Sequence, residues 1–328
     1  MTVAESNLYP ALLKLPAVLS DLGIAYLIYK ILCNPALDLG SRKAARLGAV
    51  LFLLNPAIWY NSAVWGQTDA IVNFFGLLAF YFLFKNKLAF AIAAFTASIY
   101  IKISLLIFAP IFFLLLLKKY RFKNILVSTL PSLFAIISIT WFFSRTSAQN
   151  PISWLYWLYT NKVLTEQLQV ITANAFNIWA ALTGIHEQPH TLPFLGLTYQ
   201  YWGYILFTLF FIPIIYSLYK KQDEKTAIVA LTLTAFASWS LLTNMHERYL
   251  YPLFPYLTIM VALDSKLLPI YWLLSGINLL NLYNFWWTPR IEPLVRLMSA
   301  GDRLAPRILG LINFAIFVKF YKKHARIY

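Results

Sequence analysis

Residues 85–123 read KNKLAFAIAAFTASIYIKISLLIFAPIFFLLLLKKYRFK, and this stretch decides the fold class. Two apolar runs, 88–101 and 103–117, are separated by the single cation Lys102, and basic clusters close both outer ends. Neither run alternates in polarity, as a strand of an outer-membrane barrel would. Backbone groups in lipid must be satisfied within the segment, so such runs become helices. The stretch therefore reads as a helical hairpin, with its basic ends on one side of a bilayer and Lys102 at the other.

The same pattern extends in both directions. Of 328 residues 60% are hydrophobic and 12% charged, about half the charge of an average soluble domain. Apolar runs recur at 15–33, 47–60, 69–84, 88–101, 103–117, 125–143, 201–219, 226–243, 250–263, 267–285 and 306–320. Read against the roughly 20 residues a span needs, they predict an all-α polytopic bundle of about eleven spans in one domain covering 1–328.

The net charge of +15 has a topological origin. Basic residues gather in alternate short loops: Arg42, Lys43 and Arg46; Lys85 and Lys87; Lys118, Lys119, Arg121 and Lys123; Lys220, Lys221 and Lys225; Lys322, Lys323 and Arg326. Positive loops mark the cytoplasmic side, so the charge is not read as a nucleic-acid footprint. Cys33 is the sole cysteine, which excludes an intrachain disulfide. The four histidines, at 186, 190, 246 and 324, lack the spacing of a zinc site. No cofactor is expected, and any need for a divalent metal is open.

If the 34–46 loop is inside, residues 1–14 lie outside with no preceding span to put them there. The opening MTVAESNLYP then reads as the tail of an external loop, and the expectation is that a span precedes it.

Chemistry is expected on the outer face. Trp65-Gly66-Gln67-Thr68-Asp69 interrupts an apolar run. An interfacial turn, with Asp69 capping the next helix, explains it except for Gln67. His246-Glu247-Arg248-Tyr249 puts three ionisable side chains in a row at a helix end. Such groups at membrane depth must meet water, each other or a ligand. They form either an interfacial ion cluster or a phosphate site, with the Arg248 fork and His246 as donors. Lys102 either snorkels to the interface or adds positive charge beside Arg248. Asp21, inside the first run, reads as half of a structural pair. The outer stretch 144–200, about 57 residues, exceeds a connector's needs. Its amides Asn174 and Asn177 with Trp179 suit sugar hydroxyls and pyranose faces, or an interfacial amphipathic helix.

In order along residues 8–260, four segments resemble the polytopic GT-C glycosyltransferases of bacteria and archaea. These are NPAIWYNSAVWGQTDAI (55–71), KISLLIFAP (102–110), TANAFNIWAALTG (172–184) and NMHERYLYP (244–252). The resemblance is to prokaryotic membrane mannosyltransferases related to GPI-anchor mannosyltransferase II. It implies transfer of a sugar, mannose in that family, from a polyprenyl or dolichyl phosphate in the plasma membrane of a prokaryote. The acceptor is a hydroxyl of a glycan, glycolipid or protein on the extracytoplasmic face, and the anomeric carbon inverts. The resemblance further implies Trp65, Gln67 and Asp69 as one wall of the site. His246, Glu247 and Arg248 fall near the donor phosphate, and Asn174, Asn177, Trp179 and Tyr249 contact substrate.

Members of the class carry a catalytic Asp on a first external loop, which this chain does not match. Asp69 and Glu247 are the remaining carboxylates for the base, and Glu247 can equally serve to hold Arg248. Two other readings share much of this sequence: a polytopic transporter, and a non-catalytic lipid-binding remnant of a glycosyltransferase.

Overall fold

The computed structural model describes residues 8–34, 39–147, 149–163 and 169–325. Arg326 and the opening residues 1–7, used in the sequence reading, lie outside that description. The described residues are 80% helical. Fourteen α-helices follow in order among the described residues: α1 Leu8–Leu32, α2 Arg42–Leu53, α3 Pro56–Trp59, α4 Asp69–Phe84, α5 Leu88–Ile101, α6 Ala109–Lys119, α7 Phe122–Ser144, α8 Pro151–Leu158, α9 Ile178–Thr183, α10 Tyr199–Lys220, α11 Glu224–Leu241, α12 Leu253–Leu263, α13 Leu268–Trp286 and α14 Glu292–His324. The one sheet among them is a hairpin pairing Pro193–Phe194 with Leu197–Thr198.

Burial separates the layers. In α11 every residue from Ala230 to Leu241 is buried, and α12 is buried over Leu253–Val261. A helix apolar on all sides belongs in the interior. By contrast α7 and α10 expose large apolar side chains, Phe134 to 74% and Leu209 to 60%. Exposed apolar surface of that extent suits lipid.

Four described helices, α1, α7, α10 and α14, are long and apolar enough to cross a membrane; counting the bent α2–α3 pair as one span makes five. The other apolar runs are shorter or broken. Helices α4 and α5 have 16 and 14 residues. Asn55-Pro56 bends the 47–60 run by 45°, because proline cannot continue the helical hydrogen-bond ladder. The 103–117 run opens as a 3₁₀ turn over Ile103–Phe108 before α6. Helix α14 breaks at Ala300–Arg303, where Gly301, Asp302 and Arg303 turn left-handed.

The described part of the 144–200 stretch is built into the fold. Residues 169–177 form an irregular segment between two neighbours, with Asn174 left-handed at φ 68°. Ile171 N donates to Gln188 O at 2.8 Å, and on the other side Ala173 N donates to Met245 O at 3.0 Å. This places the 172–184 and 244–252 segments side by side.

Candidate functional site

The site begins with a turn. After α3 the chain widens into a π-turn over Tyr60–Trp65, a form of helix often found at functional positions. Gly66 closes it at φ 86°, a left-handed conformation that costs glycine nothing. The N–H groups of Gly66 and Gln67 both donate to Asn61 O. Lys14 of α1 donates to Val64 O at 2.7 Å and ties the turn to the first helix. Asn55 sets the approach: its Oδ1 accepts from Ala57 N and from Ser275 Oγ.

Asp69 follows at the first position of α4, where the helix dipole favours a carboxylate. It is not the cap. Thr68 occupies that position, without a side-chain cap bond, so the expected capping role is corrected. The Asp69 side chain turns to cations instead. Lys102 Nζ lies 2.7 Å from Oδ1, and Arg248 Nε lies 3.9 Å from Oδ2, the latter too long for a hydrogen bond. Lys102 occupies the extended break between α5 and the 3₁₀ turn, so the interruption seen in the sequence carries an ion-pair partner.

Arg248 is gripped from several sides. Its Nη1 donates to Glu247 Oε1 at 3.0 Å, and its guanidinium lies 5.6 Å from the Trp65 ring and 5.4 Å from the Tyr249 ring. Lys102 sits 5.0 Å from the same Tyr249 ring. Trp65 in turn stacks on Trp286 at 5.7 Å. Cations against aromatic faces gain about 0.5–2 kcal/mol each, which helps hold two like charges close together.

Burial shifts the neighbouring groups. His246 is pushed down to about 4 by desolvation and then by the charges of Arg248 and Lys102, so the imidazole is neutral near pH 7. Glu247, fully buried, is raised by desolvation against the pull of Arg248. Asp69 Oδ2, His246 Nδ1, Glu247 Oε2 and Arg248 Nε are all buried without a hydrogen-bond partner among the described residues. Buried polar atoms normally find partners, and four orphans in one cluster mark a place shaped for something to arrive.

Two cavities open from the cluster. One of 130 Å³ has Asp69, Lys102 and Tyr249 on its polar side and Ile103, Ile107 and Pro252 on its apolar side. The other, of 440 Å³, is bordered by Asn174, His246, Asn284, Trp287 and Arg303. Glu247 borders neither, which separates the two carboxylates: Asp69 faces a cavity, and Glu247 backs Arg248.

The amide-rich motif divides. Asn174 borders the larger cavity, and its Oδ1 accepts from Asn284 Nδ2 at 2.7 Å. Asn177 and Trp179 do not join the site. Asn177 Oδ1 caps α9 through Trp179 N and Ala180 N, and its Nδ2 donates to Trp239 O. Trp179 Nε1 donates to Leu241 O at 2.8 Å. With their polar atoms bound to backbone, both are framework, and their expected sugar contact is corrected. Gln67 is half-buried in the turn. Asp21 accepts a hydrogen bond from Tyr251 Oη beneath the cluster, the structural pair expected of it.

Sequence reading missed Asn281 and Asn284. Asn281 Nδ2 donates to Asn174 O, and its Oδ1 accepts from Phe176 N. Asn278, Asn281 and Asn284 recur every three residues in an apolar helix, a stripe that signals an inward face.

No protein-family model, no curated protein and no solved structure matches this chain.

Proposed function

We propose that the chain is a membrane glycosyltransferase of GT-C type, with about eleven spans and the clustered site on the extracytoplasmic face of a prokaryotic plasma membrane. It moves a sugar, mannose by resemblance, from a polyprenyl or dolichyl phosphate to an acceptor hydroxyl. The observation that carries this reading is the meeting of segments distant in sequence: Trp65 and Asp69, Lys102, Asn174, and His246 through Tyr249. The cavity at Asp69 supports it further: the Asp69–Lys102 ion pair lies at one side, where a phosphate could take over the Lys102 ammonium, and apolar side chains that suit an isoprenoid tail lie at the other.

In this mechanism the acceptor oxygen attacks the anomeric carbon as the bond to the phosphate oxygen breaks. Lys102, Arg248 and neutral His246 stabilise the charge on the departing phosphate. Asp69 takes the acceptor proton. The incoming phosphate competes for the cations that hold Asp69, and loosening that pair makes the carboxylate a better base. Glu247 fixes the Arg248 fork.

The test is binding of a polyprenyl-phosphate sugar to the chain in lipid particles. Arg248→Ala is expected to weaken binding by about 10–100-fold, and Arg248→Lys to recover only part, because one point charge replaces a planar fork. Equal affinity for wild type and Arg248→Ala would leave Arg248 with a structural role and remove the basis of the reading.

A further inference from the structure

A third cavity, of different character, shares a wall with the ionic cluster. It measures 440 Å³ and is lined by Gln169, His190, Thr191, Gln200, Tyr204 and Asn244, with Met245 and Tyr249 between it and the Asp69–Lys102 cavity. That volume falls in the roughly 300–1,000 Å³ range of small-molecule sites. Its polar groups are amides, hydroxyls and one imidazole, and among the described residues no Asp, Glu, Lys or Arg borders it. A lining without formal charge gives little to a phosphate or a metal ion. It offers many donors and acceptors to a neutral ligand bearing hydroxyl groups.

Two of those groups have no hydrogen-bond partner among the described residues. His190 Nδ1 and Asn244 Oδ1 are buried without a hydrogen-bond partner, and His190 is only 7% exposed. Burial also lowers the His190 pKa, which keeps the ring uncharged and able to pair with a hydroxyl as donor or acceptor. The walls are held by backbone bonds. His190 N donates to Gln169 O at 3.1 Å, and Gln200 N donates to His190 O at 3.0 Å. Gln200 Nε2 reaches Tyr204 Oη at 3.1 Å. Gly203 lets α10 approach Leu241–Thr243, because a Cβ there would lie 3.1 Å from Thr243 N.

We propose that this cavity binds a neutral carbohydrate and, resting on the transferase reading above, that it seats the acceptor glycan beside the ionic cluster. Tyr249 is the partition. One of its neighbours is Lys102, and its other side faces the hydroxyl-binding space. A glycan held there would present a hydroxyl across that partition toward Asp69.

The experiment uses the full chain in a detergent without a sugar headgroup. The probes are methyl α-D-mannopyranoside and methyl α-D-glucopyranoside, followed by saturation-transfer NMR with no lipid-linked donor present. Wild type is expected to bind at least one glycoside. His190→Phe keeps the ring size and removes both nitrogens, and is expected to weaken binding roughly tenfold. Gln200→Leu, which removes a second lining amide, is expected to give a similar loss while leaving the buried ring in place. Arg248→Ala is expected to bind the glycoside as wild type does, since Arg248 does not line this cavity. Three results would overturn the proposal: no glycoside binding to wild type, unchanged binding in both cavity variants, or a loss in Arg248→Ala matching that in His190→Phe. A chain that binds glycosides through His190 and Gln200 yet transfers no sugar would keep this site and lose the transferase reading.

Discussion

Asp69 and Glu247 both lie against Arg248, and burial gives them different work. Glu247 is fully enclosed, with Oε1 committed to the guanidinium. Asp69 has the cavity in front of it. His246, between them in character, carries a measurable pH signature. Its pKa falls from 6.5 to about 4 in the folded chain, so between those values the unfolded chain takes up a proton that the folded site refuses. Stability from this group is complete above pH 6.5 and declines as the pH drops toward 4. Glu247, raised above 4.5, works with opposite sign: it favours the folded state at low pH and loses that contribution as the pH rises through its folded value. Replacing His246 with Asn isolates the first effect. Going from pH 8 to pH 5, wild type is expected to lose on the order of 2 kcal/mol more stability than His246→Asn. Thermal midpoints in lipid particles at the two pH values check this; parallel slopes would show that His246 titrates normally.

At the scale of elements, the site depends on how closely helices that carry no catalytic group can approach. Gly310 of α14 faces α9, where an added Cβ would lie 2.7 Å from Asn177 O and 3.4 Å from Ala181 N. Backbone cannot give way as a side chain can. Gly310→Ala is expected to cost about 1–3 kcal/mol, read as a lowered thermal midpoint, and to disturb the bond from Asn313 Nδ2 to Phe176 O. An unchanged midpoint would mean that α9 moves freely. Helix as the dominant element was legible, since apolar runs without alternation leave few alternatives. The division of those runs was not. Hydropathy reads α11, enclosed by protein, and α7, exposed along its length, as the same kind of run. In the site, ionisable residues at helix ends were legible because charge beside apolar sequence demands a partner: Asp69, Lys102 and Arg248 did meet. Asn177 and Trp179 misled because amides and indoles satisfy backbone as readily as sugar, and only geometry tells which.

For the whole molecule, charge and chemistry occupy opposite ends. Helix α4 runs from Asp69 in the ionic cluster to Phe84, about 22 Å away at 1.5 Å per residue. Phe84 borders a pocket with Lys118, Lys119 and Glu224, and Lys85 shares another with Lys30, Arg42 and Arg46. The basic loops thus gather at the end remote from Arg248. Helix α7 makes the same journey in reverse. It starts beside the Lys118–Lys123 cluster and brings Thr140 to within 3.0 Å of Tyr100 Oη, two residues before Lys102. If the positive end is cytoplasmic, Lys123 and Asn161 must lie on opposite sides of the membrane. Single cysteines at each position, in a Cys33→Ala background, provide the test. An impermeant thiol reagent applied to intact cells is expected to label Asn161→Cys and to spare Lys123→Cys until the cells are opened. Labelling of both from outside would break the two-ended arrangement. Labelling of Lys123→Cys alone would invert it, and would turn the ionic cluster toward the cytoplasm, away from an acceptor on the outer face.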